Sequence, residues 1–189
     1  MKRGSLPDAA PPPDALAHAC AAVDATTFRQ GMRHLVGAVN VLAARLRDGA
    51  PVGLTATAVC SLSAEPPALL ACVNRASTLG NAIAIGMDFS VNVLGAHHEA
   101  LARAFGGMAG IDQRGRFALG EWHAGKDGPP LLADALVAFV CRVVQTVEHG
   151  SHCVVIGQVE QVALPAIHGA IRSNLVYRNG SFGRFPEPV

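Results

Sequence analysis

The sequence predicts a mainly β chain with short helices, closed as an antiparallel barrel. Apolar runs of strand length recur from Ala38 to Arg178. Turn signals separate them, among them Asp48-Gly49, Glu65-Pro66-Pro67 and Asn179-Gly180. Helical spacing is confined to three short stretches, which does not suit a parallel sheet with crossover helices.

The elements follow in order. Residues 1–24 form a Pro/Ala-rich leader, low in complexity over its first 14 residues and expected to be partly mobile, and the domain spans residues 25–189. Phe28, Met32 and Leu35 fall at i, i+4 and i+7, predicting a helix from Thr27 to Leu35, capped by Thr26 or Thr27 and ended by Gly37. Strand Ala38–Leu46, a turn at Asp48-Gly49 and strand Val52–Leu62 read as a hairpin. Ala64-Glu65-Pro66-Pro67 turns the chain into strand Ala68–Val73, after which Ser77 or Thr78 can cap a short helix reaching Ile85. Phe89–Leu94 alternates as a strand, residues 97–105 read as a helix, and Gly106–Gly128 is loop-rich and carries Trp122, a loop or dimer anchor. Two long strands, Leu136–Glu148 and Cys153–Leu164, flank His149-Gly150-Ser151-His152, and Asn174–Arg178 is the last strand before the Asn179-Gly180 turn. There is no internal repeat and no domain linker.

Composition bounds the function. At 189 residues the chain is long enough for a substantial core, and half of it is apolar while 15% is charged. A formal charge of +1 offers no electrostatic footprint for nucleic acid. No apolar run reaches the ~18–20 residues of a membrane span, and no apolar block follows Met1-Lys2-Arg3 as a signal peptide requires, so the cytoplasm is the expected compartment. Cys20, Cys60, Cys72, Cys141 and Cys153 are odd in number and mostly lie in apolar strands, as buried small hydrophobes do. No Cys/His set has zinc spacing; His97 and His98 are adjacent and would diverge on a helix, so no metal is expected.

The most informative stretch is Gly53–Ser77. Along its first strand Thr55, Thr57, Ser61 and Ser63 alternate with apolar residues and would line one face at the two-residue period of a strand. On periodicity alone this is an ordinary strand with one wet face. A neutral hydroxyl wall also suits a large flat ligand with a polar rim, such as a flavin. The signatures of other chemistries are missing: no GxGxxG, no GxxxxGK[ST], no HExxH, no GxSxG and no close carboxylate pair.

Six pieces then occur in order: Thr55-Ala56 with Ser61-x-Ser63 and Pro66-Pro67; Cys72-Val73-Asn74-Arg75-x-Ser77; Phe89-x-Val91-Asn92-Val93-Leu94; Gly150-x-His152; Ile156-Gly157-x-Val159; and Leu175-x-Tyr177-Arg178-x-Gly180. Each alone is weak, but their order over Phe28–Phe185 resembles the flavin reductases of the split-barrel, FMN-binding type, the reductase components of two-component flavin monooxygenases. That resemblance implies an antiparallel split β-barrel, an NAD(P)H:flavin oxidoreductase, FMN or FAD as flavin, a homodimer, and a separate flavin-dependent oxygenase as partner. NADH is favoured over NADPH because no Arg cluster awaits a 2′-phosphate. A non-catalytic flavin-binding or sensor module of the same fold is the alternative.

The resemblance also implies roles. Thr55, Ala56, Thr57, Ala58, Cys60 and Ser61 would run along the isoalloxazine and ribityl chain through backbone groups and hydroxyls. Asn74, Arg75, Ser77 and Thr78 would hold the flavin phosphate at a helix start, where free N–H groups suit an anion. Phe105 and Gly106 would touch the flavin from the other side, and Tyr177 and Arg178 would pack on or bond to it. His152 would orient the nicotinamide, since hydride transfer needs positioning rather than a protein acid or base. Family members commonly have Asp where this chain has Ser151, and hydroxyl residues at Ala58 and Cys60.

Overall fold

The topology turns on one short link. In the seven-stranded antiparallel sheet the order is β3-β2-β6-β9-β10-β5-β4, so β3 (Pro51–Ala56) and β4 (Val59–Ala64) sit at opposite edges. Yet only Thr57 and Ala58 separate them in the chain. Two edges joined by two residues must meet in space, so the sheet curls into a barrel that stays open between β3 and β4. The remaining strands are β2 (Asn40–Arg45), β5 (Pro67–Asn74), β6 (Asp88–Val93), β9 (Val137–His149) and β10 (His152–Ala163). A second sheet has the order β1-β11-β12 (Gly37–Ala38, Leu175–Arg178, Ser181–Arg184), and β7 (Trp122–His123) pairs with β8 (Leu131–Leu132).

This computed structural model describes residues 22–123, 128–164 and 173–185, so the Pro-rich leader and Cys20 lie outside it. The chain divides into two units at His34. In the first, α1 spans Ala25–Met32. Its cap is Asp24, not Thr26 or Thr27: the carboxylate accepts from both their N–H groups at 2.7 and 2.8 Å. These bonds, Thr27's first, hold the Asp24 carboxyl below its ordinary value. Only a residue outside the helix can reach back over its first turn, which is why the helix starts two residues before the predicted Thr27.

In the second unit, four predicted bounds are corrected. The run Val52–Leu62 is broken at Thr57-Ala58, because the chain there crosses from one sheet edge to the other. Ser63 closes the β4–β5 turn by accepting from the Glu65 N–H at 3.1 Å. The helix after Ser77, α2 (Thr78–Ala82), stops short of the predicted Ile85. The loop Gly106–Gly128 contains α4 (Gln113–Phe117), capped by Asp112 on the Gly115 N–H at 2.7 Å. Beyond Asn179-Gly180, both at positive φ as a tight hairpin requires, β12 returns antiparallel to β11.

Two layers of core flank β2, whose residues Asn40–Ala44 are all buried. Inside the barrel Leu42, Val52, Leu69, Ala71, Val73, Phe89, Val91, Val143 and Val155 interlock. Between the barrel wall and α3 (Glu99–Phe105) lie Val41, Ala43, Leu94, Leu101, Phe105, Leu132 and Leu175. Trp122 anchors the loop there: its ring meets Phe105 and Phe117 at 5.5 and 5.0 Å, and its Nε1 donates to Leu119 O at 3.0 Å. Cys141 and Cys153 are buried as expected, and burial, with the charge of Glu160, pushes the Cys141 thiol up to about 12. Cys60 is exposed, the exception, because edge strand β4 turns it outward.

Candidate functional site

The split in the barrel is where a ligand can enter. β3 has no strand on its outer edge, and side chains take that place. Gln113 on α4 donates to Gly53 O at 3.2 Å and accepts from the Gly53 N–H at 3.1 Å, imitating a strand neighbour. Thr55 donates its hydroxyl to Ala102 O on α3 at 2.8 Å. Glycine is required at position 53, since a Cβ would meet Leu42 O at 2.8 Å and the Phe105 ring at 2.9 Å.

Opposite β3, the chain leaves β5 in a tight knot. Asn74 O accepts from the Ser77 N–H and hydroxyl at 3.0 and 2.7 Å, and Asn74 Oδ1 accepts from the Ala76 N–H at 2.9 Å. Ser77 in turn caps α2 (Thr78–Ala82), accepting from the Gly80 N–H at 2.9 Å. The Ser77 proton is thus engaged, and the first-turn N–H groups of Thr78 and Leu79 have no intrahelical acceptor.

Between these walls lies a cleft of about 530 Å³, within the roughly 300–1,000 Å³ typical of small-molecule sites. It brings together ten of the fifteen residues expected from the sequence: Thr55, Ala56, Thr57, Ala58, Asn74, Ser77, Thr78, Phe105, Gly106 and His152. Five others do not line it. Cys60 and Ser61 continue on exposed β4, past the Thr57-Ala58 crossing between the sheet edges. Arg75 pairs with Glu148 at 2.9 Å, clasping the β9–β10 turn. Arg178 is exposed at the end of β11. Tyr177 lines a neighbouring hollow of about 230 Å³ that shares Thr55, Thr57 and Gly106 with the cleft; there its ring meets Phe182 edge-on at 5.0 Å.

Gln113, Arg116 and Cys72 line the cleft without having been foreseen as site residues. Cys72 opens the Cys72-Val73-Asn74-Arg75-x-Ser77 motif, and its alternation with Val73 was the available signal. Nothing local marked Gln113 or Arg116, whose place depends on how α4 folds against β3. Among the described residues no carboxylate lines the cleft and Arg116 is the one formally charged side chain there, a donor set suited to a neutral ring bearing phosphate. The residues fit a flavin nucleotide on those grounds.

His152 opens β10 opposite Asn74 and is exposed at the cleft. Its Nδ1 lies 2.9 Å from the Ser151 hydroxyl, so the residue standing in place of the commoner Asp still restrains the ring.

Away from the cleft, the turn Ala96–His98 does not make His97 and His98 diverge, as expected on an α-helix. Both Nε2 atoms reach Asp134, at 3.1 and 2.9 Å. The Gly95 N–H donates to His98 Nδ1 at 3.1 Å, so a neutral His98 carries its proton on Nε2 and presents N–H, not a lone pair, to Asp134. Burial pushes the Asp134 carboxyl up, but hydrogen bonds and charge from His98, then His97, outweigh it and leave the group below its ordinary value. Its folded value being depressed, Asp134 contributes stability above the unfolded pKa of about 4 that is lost as pH falls through the folded value. Thermal melts should therefore show wild type above Asp134→Asn at pH 6, with the gap closing towards pH 3; a constant gap would refute this.

Residues 32–186 match the flavin reductase like domain family. The chain is a flavin reductase family member. An FMN reductase (NADH) RutF 1 of Methylorubrum extorquens is 45% identical over 141 residues, covering 75% of this chain and 69% of that protein. The 4-hydroxyphenylacetate 3-monooxygenase reductase component of Pseudomonas aeruginosa is 38% identical over 161 residues, covering 85% and 92%. Among solved structures, the Streptomyces globisporus NADH:FAD oxidoreductase in complex with NAD and FAD fragments superposes with a TM-score of 0.74 at 27% identity, covering 86% of this chain and 93% of that one. In this family member the split of the barrel and the cleft coincide.

Proposed function

We propose that this chain is an NADH-dependent flavin reductase that reduces FMN and passes the reduced flavin to a separate oxygenase. The observation that carries the reading is the carboxylate-free cleft at the barrel split, with an unpaired helix start on one wall and His152 at its mouth. FMN and NADH lead because relatives more than 40% identical carry those names. FAD and NADPH are the comparison arms.

A bound flavin would supply the hydride-accepting ring; the chain supplies position. Thr57 and Ala58 stand outside both flanking strands, so their N–H groups are available to the polar rim of the ring. The N–H groups of Thr78 and Leu79 suit its phosphate better than the Ser77 hydroxyl, whose proton is already held by Asn74 O. His152, steadied by Ser151, orients the nicotinamide over the ring. It moves no proton in this scheme.

The test is NADH oxidation in air with FMN, FAD or no flavin. Turnover that requires added flavin and saturates with it supports the reductase; tight flavin binding without oxidation of NADH or NADPH would instead leave a binding module. His152→Ala should raise KM for NADH by about tenfold, a loss of roughly 1.4 kcal/mol, with flavin affinity little changed. Equal loss of both would refute its nicotinamide role.

The reading includes a homodimer in the cytoplasm. Val147 near the turn of the long hairpin, and Val162 and Leu164 at its open end, are 48, 52 and 74% exposed, apolar side chains that a second copy would cover. Light scattering at micromolar concentration distinguishes dimer from monomer. No described helix is long and apolar enough to cross a membrane.

A further inference from the structure

The cation expected near the phosphate, Arg75, does not line the cleft. Its guanidinium is held by Glu148 at 2.9 Å and by Gly150 O at 3.4 Å. Arg116 does line the cleft, and among the described residues it is the one formally charged side chain there. Its Nε donates to Ile111 O at 3.2 Å, which fixes the base of the guanidinium. Both Nη groups are without a partner among the described residues. The side chain is half-buried, so its charge is less screened than at the surface.

Its position along the cleft is set by α4. Gln113, three residues earlier on the same helix, is clamped to Gly53 in both directions. Residues three apart share a helix face, so Arg116 stands at the Gly53 end of β3. Thr78, the first residue of α2, lines the same cleft as Arg116. A planar fork with two donors pointing into a carboxylate-free cleft suits the oxygens of a phosphate.

We infer that Arg116 anchors the phosphate of the bound flavin in the place expected of Arg75, and so makes the protein prefer FMN to riboflavin. This rests on the reading of the cleft as a flavin site. The pyrophosphate of the nicotinamide dinucleotide has the same chemistry, and His152, opposite Asn74, lines the same cleft, so the NADH arm of the experiment separates the two.

The experiment is a fluorescence titration of FMN and riboflavin into wild type, Arg116→Gln, Arg116→Lys and Arg75→Gln. Loss of one charge-assisted contact should weaken FMN binding by about tenfold in Arg116→Gln and leave riboflavin within about twofold. Arg116→Lys should recover part of the FMN affinity, and Arg75→Gln should leave the FMN-to-riboflavin ratio as in wild type. Equal weakening of both flavins would make Arg116 a structural residue and overturn the inference. Unchanged FMN affinity with a raised KM for NADH would overturn it by assigning the residue to the nicotinamide nucleotide. Wild type that binds both flavins equally overturns the anchor while sparing the flavin site; wild type that binds neither overturns both.

Discussion

Gly80→Ala is expected to remove most flavin affinity while leaving a folded barrel. A Cβ at position 80 would collide with the carbonyl oxygen of Asn74, and it would lie 2.8 Å from Asn74 C and 3.0 Å from Arg75 Cα. All three are backbone atoms, so no side chain can swing away. The α2 start must move outward, breaking the Gly80 N–H bond to Ser77 and misplacing the N–H groups of Thr78 and Leu79. Two such contacts at about 1 kcal/mol or more each correspond to at least tenfold in affinity. Of α2 only Leu79 is buried in the barrel core, so the melting temperature should fall while circular dichroism still reports a folded barrel. FMN affinity within twofold of wild type would show that α2 does not hold the ligand.

The second large effect concerns the barrel itself. Phe89 is fully buried, and its ring lies over Gly157, where a Cβ would meet Cζ at 2.6 Å and Cε1 at 2.8 Å. Phe89→Ala should cost about 3–5 kcal/mol, lowering the melting temperature by roughly 10 °C in a chain of this size. Gly157→Ala alone should also destabilise, because the ring has no room to retreat. Combined, the two should cost less than their sum, since the new methyl group occupies space the lost ring vacates. Strict additivity in chemical denaturation would show that the ring and the glycine are not in contact.

Most of the barrel was legible because strand period and turn chemistry are local. Phe89–Leu94, Ala68–Val73 and the two long strands of the β9–β10 hairpin each carry enough alternating or continuous apolar residues to declare themselves, and their bounds shifted by only a residue or so. The errors have one kind of cause. The run Val52–Leu62 is uniform in composition, so nothing within it says that Thr57-Ala58 must cross between sheet edges. α4 is five residues long and holds no apolar stripe; it exists because Asp112 caps it and Gln113 finds the unpaired edge of β3. The site divided in the same way. Thr55–Ala58 and Asn74–Thr78 were visible as hydroxyl-bearing segments, whereas Gln113 and Arg116 arrive from about 35 to 60 residues further along the chain.

By itself the sequence determined most of the strands, the hairpin turns, the Ser77 cap and the family, since each depends on residues near one another in the chain or on their order along it. Tertiary structure alone decided which of those residues share a cleft. Arg75 and Arg116 carry the same charge and both were available. Glu148, brought to the end of β5 by the pairing of β9 with β10 and of β10 with β5, engages the first, and Gln113, bonding α4 to β3, sets the second into the split. A charge acts on whatever the fold places within a few ångströms of it, and that distance is a property of the closed barrel, not of either residue's neighbours in sequence.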